Sequence, residues 1–162
     1  MSLLDDLIQW FYEAQKIVIV GIGNPMRKDD GIGIEIVSGL EGKISSKVLL
    51  IKSETVPEDF IEPIIEFKPT HILIVDAALM SLQPGSAELI KSVPASELGF
   101  STHSLSAQIL CGYLTMMTGA EIAMLLIQPE DTSFGEGLTQ QLDLARKELI
   151  YYLVKIVELM NK

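Results

Sequence analysis

Ile17-Val18-Ile19-Val20-Gly21-Ile22-Gly23-Asn24-Pro25-Met26-Arg27-Lys28-Asp29-Asp30-Gly31-Ile32-Gly33 decides how this chain is read. The apolar, β-branched run at its start favours a strand, because side chains branched at Cβ fit a pleated backbone better than a helix. Glycines then make a turn and two carboxylates follow. A second glycine pair, Gly31 and Gly33, opens an amphipathic stretch. The pattern is strand, loop, helix, with acid in the loop. In open α/β sheets, ligands and chemistry sit in the loops after the carboxyl ends of strands.

The rest of the chain repeats the alternation. The first strand is expected from about Lys16 to Ile22, and a helix from near Gly31 to near Gly42 with Ile32, Ile36, Val37 and Leu40 inward. Lys47 to Lys52 reads as a second strand. Pro57 suits a first helical turn, and Phe60, Ile61, Ile64 and Ile65 supply the apolar face of a helix ending before Pro69. Thr70 to Asp76 reads as a third strand, and the uninterrupted Ile72-Leu73-Ile74-Val75 suits burial on both faces. Gly85 to Lys91 is expected as a shorter strand. Ser104 to Thr118 follows as a helix with Leu105, Ile109, Tyr113 and Met117 on one side. Glu121 to Gln128 is another buried strand, Pro129 to Gly137 a loop, and Leu138 to Met160 a terminal helix with Leu142, Leu149, Leu153 and Ile156 inward. Leu3, Leu4, Leu7, Ile8, Trp10 and Phe11 recur at near-helical spacing, so residues 1–15 form a helical extension. Strands alternating with helices imply a mostly parallel sheet with helices on both faces, in one α/β domain over 1–162.

The 162 residues, 48% hydrophobic and 21% charged, are enough for one domain with a substantial core. The net charge of -10 argues against a nucleic-acid partner. Mean hydropathy is high at +0.35, yet no apolar run approaches the ~20 residues of a spanning helix. The acidic start Met1-Ser2-Leu3-Leu4-Asp5-Asp6 lacks the basic region of a signal peptide. Cys111, the single cysteine, can form neither an internal disulfide nor a multi-thiolate metal site. The chain reads as cytoplasmic, without a membrane partner.

Three polar residues stand out by placement. Asp30 lies in the loop after the first strand, Asp76 ends the third strand, and His103 lies in Ser101-Thr102-His103-Ser104 just before a helix. In a parallel sheet these loops converge on one edge, so two carboxylates and an imidazole can meet there. Two oxygens and one nitrogen with open positions suit a borderline divalent metal such as Zn²⁺ or Ni²⁺. Each residue also has a plainer role. Asp30 can cap the helix opening at Gly31, and His103 can hydrogen-bond within a turn. A carboxylate at the end of an apolar strand is costly without a partner. The residues alone do not choose between Asp29 and Asp30.

The other polar or soft residues read as structural. His71 opens the third strand at the opposite edge, Cys111 reads as a buried core thiol, and Met116, Met117 and Met124 as core filling. Glu130, Asp131 and Glu136 read as solvated, on a mobile loop that can border a substrate groove. Gly21-Ile22-Gly23 begins like a dinucleotide fingerprint. Met26, however, stands where the third glycine belongs, Pro25 removes an N–H, and the acids would repel a pyrophosphate. No cofactor-binding residues are assigned.

Gly21-x-Gly23-Asn24-x-x-x-x-Asp29-Asp30-Gly31-x-Gly33, the strand ending Val75-Asp76-Ala77, and Ser101-Thr102-His103 together resemble the hydrogenase maturation endopeptidases. These proteins process the large subunit of [NiFe] hydrogenases. The likeness runs from about Lys16 through the terminal helix. It implies a three-layer α/β/α sandwich around a twisted sheet, of the phosphorylase/hydrolase-like kind. It also implies a peptidase that removes a C-terminal extension from the large-subunit precursor after nickel insertion. The family's metal-contacting positions map onto Asp30, Asp76 and His103, which are therefore expected as both metal ligands and catalytic residues. The nickel is presented by the substrate, and another divalent metal in the isolated protein is also compatible with the ligand set. The helical extension before Lys16 departs from many members and is expected to pack on the domain.

Two chemical schemes fit those residues. In one, the triad reads nickel held by substrate cysteines and positions the scissile bond. In the other, Asp30 and Asp76 share a proton and activate water as an aspartic-type pair. The imidazole favours the first, because a carboxylate dyad does not need it. Peptidyl-tRNA hydrolases share a Gly-x-Gly-Asn-Pro opening, but a nucleic-acid substrate sits badly with 12 basic residues against 22 acidic ones. A non-catalytic, metal-dependent module that binds a hydrogenase precursor would use the same ligands.

Overall fold

The structure, a computed structural model, describes residues 2–54, 60–91, 101–102 and 105–160, with backbone alone for 101–102 and 105–110. Among them the strands are β1 (Ile17–Ile22), β2 (Val48–Ser53), β3 (His71–Leu79), β4 (Ala87–Lys91), β5 (Ser101–Thr102) and β6 (Glu121–Ile127). The helices are α1 (Leu3–Phe11), α2 (Ile32–Leu40), α3 (Ile61–Phe67), α4 (Leu105–Thr118) and α5 (Gln140–Met160). A short 3₁₀ turn, Lys28–Gly31, precedes α2. The sheet order is β2-β1-β3-β6-β4. The pairs β1–β2, β1–β3 and β3–β6 are parallel and the edge strand β4 runs antiparallel to β6. This is the mostly parallel α/β/α sandwich expected. No described helix is long and apolar enough to cross a membrane.

Alternate residues of the strands build two cores, as the period of two requires. Ile17, Ile19, Leu73, Val75, Ala123 and Leu125 face α1, α2 and α5. Val18, Val20, Ile72, Ile74, Met124 and Leu126 face the opposite way, with Ile64 of α3 and Leu114 of α4. Ile32, Ile36, Val37 and Leu40 of α2 are fully buried, as are Leu142 and Leu153 of α5. The extension packs on the domain: a capping box between Ser2 and Asp5 starts α1, and Leu7, Trp10 and Phe11 join the first core.

Several sequence expectations shift. The helix expected around Pro57 begins at Ile61, and Pro57 itself lies outside the described residues. β3 continues three residues past Asp76, because β6 pairs with Asp76 and Ala77 and β5 pairs antiparallel with Ala78 and Leu79. α4 is rotated from the expected phase. Tyr113 and Met117 are 39% and 46% exposed and Met116 is 74% exposed, while Leu114 is fully buried. The 14 residues of α4 include no charged side chain, so no polar face fixed the phase from sequence. Met124 is core filling as expected, and Cys111 packs partly buried against the second core, where burial pushes its thiol up to about 11.

Candidate active site

Two close backbone approaches build the site edge. A Cβ on Gly33 would overlap the carbonyls of Ile22 and Val75, so only glycine lets the first turn of α2 sit on β1 and β3. A Cβ on Gly23 would overlap the Asp30 carbonyl, and Gly23 has φ +154°. The 3₁₀ turn therefore lies against β3 just where β1 ends. The register of β1 on β3 closes at Gly21 opposite Val75, and Asp76 is the next residue.

Asp30 is 4% exposed and Asp76 fully buried. The Asn24 N–H donates to Asp30 Oδ2 at 3.2 Å and lies 3.3 Å from the Asp30 carbonyl. The loop closes on itself, with Met26 N–H donating to Asn24 Oδ1 at 2.9 Å and Asp30 N–H to the Arg27 carbonyl at 3.0 Å. Capping is not the role of Asp30: the N-cap of α2 is Gly31, with no side-chain cap. Asp76 Oδ1 accepts the N–H of Ala77 at 2.8 Å. Asp76 is thus an interior residue of β3 rather than its end, yet it stands beyond the reach of β1. His103 lies outside the described residues. Ser101–Thr102, which precede it, pair with Leu79 and Ala78 close after Asp76. Among the described residues no group of three His, Cys, Asp or Glu side chains is placed to hold a metal ion.

Asp29 has a different task, which sequence did not reveal. It is fully buried. Its carboxylate accepts the N–H of Glu130 (2.9 Å), Asp131 (3.0 Å) and Thr139 (2.8 Å) and the Thr139 hydroxyl (2.8 Å). Lys28 Nζ pairs with Asp131 at 3.0 Å, and Arg27 Nε donates to the Thr132 carbonyl at 3.1 Å. Lys28 N–H donates to Gly135 O, and Gly135 N–H to Met26 O, at 2.9 and 2.8 Å. The loop expected to be mobile is thereby tied to the glycine motif. Asp131 is not simply solvated: the Ser133 hydroxyl and N–H, then Lys28, hold its carboxyl well below the usual carboxylate range. Glu130 and Glu136 are exposed, as expected. These contacts span about a hundred residues of chain, so no local spacing could signal them.

His71 is structural, as its place at the opposite edge suggests. It is 8% exposed, its Nδ1 lies 3.0 Å from the Thr70 hydroxyl, and its ring meets Trp10 edge-on at 5.0 Å.

A three-layer α/β/α fold that buries three carboxylates where its parallel strands end defines an α/β protein with its candidate site at that edge. The model of the HycI hydrogenase maturation protease family matches residues 34–156. A Methanocaldococcus jannaschii protein assigned to the hydrogenase maturation proteases is 38% identical over 160 residues, covering 94% of each chain. The hydrogenase 3 maturation protease of Escherichia coli K12 is 32% identical over 124 residues, covering 76% of this chain and 79% of its own. The crystal structure of a [NiFe] hydrogenase maturation protease, HycI, from Thermococcus kodakarensis superposes with a TM-score of 0.86 at 28% identity, covering 94% and 99% of the two chains. The chain belongs to the hydrogenase maturation proteases.

Proposed function

We propose that this protein is the endopeptidase that removes the C-terminal extension of a [NiFe] hydrogenase large-subunit precursor once nickel is in place. Family membership supports peptidase activity on a hydrogenase precursor and leaves the peptidyl-tRNA hydrolase alternative without support. The observation that carries the finer reading is the burial of Asp30 and Asp76 on one edge, where the 3₁₀ turn crosses β3. Carboxylates held at that edge are hard oxygen donors, the ligand type a cationic metal centre on the substrate would take.

In this reading Asp30, Asp76 and His103 contact nickel held by the substrate and so fix the scissile peptide beside it. Water attacks the peptide carbonyl, the C–N bond breaks, and the leaving amine takes up a proton. His103 favours this scheme over an aspartic-type pair, since imidazole is a natural nickel ligand.

The test is incubation with nickel-loaded and nickel-free precursor, read by electrophoretic mobility. A shift only with nickel is expected. A shift without nickel would favour the aspartic-type scheme, and binding without any shift would mean a non-catalytic module.

A further inference from the structure

Two large apolar side chains stand exposed on the rim beside the buried carboxylates: Met26 at 42% and Phe134 at 80%. They come from segments more than a hundred residues apart that are bonded directly together. Gly135 N–H donates to the Met26 carbonyl and Gly135 O accepts from Lys28, forming a bridge between Arg27 and Gly135. Asp29, the Lys28–Asp131 pair and the Arg27–Thr132 bond fix the same frame. Met26 stands four positions before Asp30. A segment otherwise rich in charge, with Arg27, Lys28, Glu130, Asp131 and Glu136, thus holds two apolar groups in water on a rigid frame. A ligand can bury them without first ordering the loop.

We infer that Met26 and Phe134 form a specificity rim that seats an apolar side chain of the precursor segment flanking the scissile bond. The inference rests on the peptidase reading and deepens it. Continuity with the carboxylate edge selects the substrate chain as the occupant. The net charge of -10 disfavours a second copy of this protein. Met116 is comparably exposed at 74%, but it lies near the end of α4 that leads into β6, where β6 starts opposite His71, at the far edge of the sheet. It serves as the control.

The experiment is steady-state cleavage of a nickel-loaded large-subunit precursor carrying its extension. The enzymes are wild type, the Met26→Ala/Phe134→Ala double variant, Phe134→Leu and Met116→Ala, each with its melting temperature. The double variant is expected to raise KM about tenfold, from lost apolar burial, with kcat within about twofold and melting unchanged. Phe134→Leu should restore most of the loss, and Met116→Ala should match wild type. Three outcomes overturn the rim while leaving the peptidase reading intact: an unchanged KM in the double variant, a fall in kcat at unchanged KM, or a wild-type dimer that the double variant dissolves. A wild type that leaves the loaded precursor uncut refutes the peptidase reading itself, and the rim falls with it.

Discussion

Polar groups are buried at both ends of the sheet, and their partners come from different distances. Where the parallel strands begin, the Thr70 hydroxyl accepts the N–H groups of Gln15 and Lys16 and lies 3.0 Å from His71 Nδ1. Trp10 covers the imidazole. These contacts join α1 and its exit to the start of β3, with Thr70 lying 55 and 54 residues beyond Gln15 and Lys16, and the effect is to fasten the extension to the sheet. Where the strands end, three carboxylates are buried. Asp29 takes four donors from one distant loop, whereas Asp30 and Asp76 sit where the turn after β1 crosses β3. One end fastens the extension to the sheet. The other end assembles a site from remote segments, and Asp29 is the anchor that holds the assembly.

That contrast can be broken in several places. The largest effect is expected at the site itself. Asp30→Asn, Asp76→Asn and His103→Ala should each lower precursor cleavage by about a thousandfold or more while far-ultraviolet circular dichroism stays native. Normal cleavage by any one removes that residue from the chemistry. Next comes the anchor: Asp29→Ala leaves four donors unmatched and should cost about 3 kcal/mol in urea unfolding, with faster amide exchange at residues 130–139. Gly33→Ala forces a Cβ against two backbone carbonyls and should cost about 2 kcal/mol by the same measurement.

Effects at the other end should be smaller. Burial lowers the His71 pKa from its usual 6.5, only partly opposed by Glu121 and Glu13. As pH falls, the unfolded chain therefore takes up the proton first. The stability from neutral, buried His71 is fully present above about pH 6.5 and is lost as pH falls through and below it. Melting curves at about pH 8 and about pH 5.5 should show a larger drop for wild type than for His71→Asn. Equal drops would place His71 outside the pH response. Trp10 Nε1 is buried with no hydrogen-bond partner among the described residues, so Trp10→Phe removes an unsatisfied donor along with some apolar area. Its net change should stay below about 1 kcal/mol, and a larger loss would reveal a partner for the indole.

The fold was legible because its signals are local. The run Ile17–Val20, the run Ile72–Val75 and the period of α2 each declare an element from within a few residues. That the turn carrying Asp30 and the strand carrying Asp76 meet at one sheet edge followed from parallel topology alone. Three features were not legible, each for a physical reason. Asp29 and Asp30 are adjacent and chemically identical, and only the donors from Glu130, Asp131 and Thr139 distinguish them. The order of the 130–139 loop depends on those same long-range bonds. The phase of α4 was lost because a helix without charge has no polar stripe to place against water. Asp76 seemed to end its strand because a carboxylate after an apolar run looks like a boundary. β5 and β6 carry the pairing past it.

Cleavage and unfolding of Asp29→Asn and Asp30→Asn, measured side by side on nickel-loaded precursor, test the division of labour most directly. Asp30→Asn should melt like wild type and leave the precursor uncut, while Asp29→Asn should lose stability yet retain measurable cleavage below its melting temperature. The reverse result, an inactive but stable Asp29→Asn beside a fully active Asp30→Asn, would contradict the account.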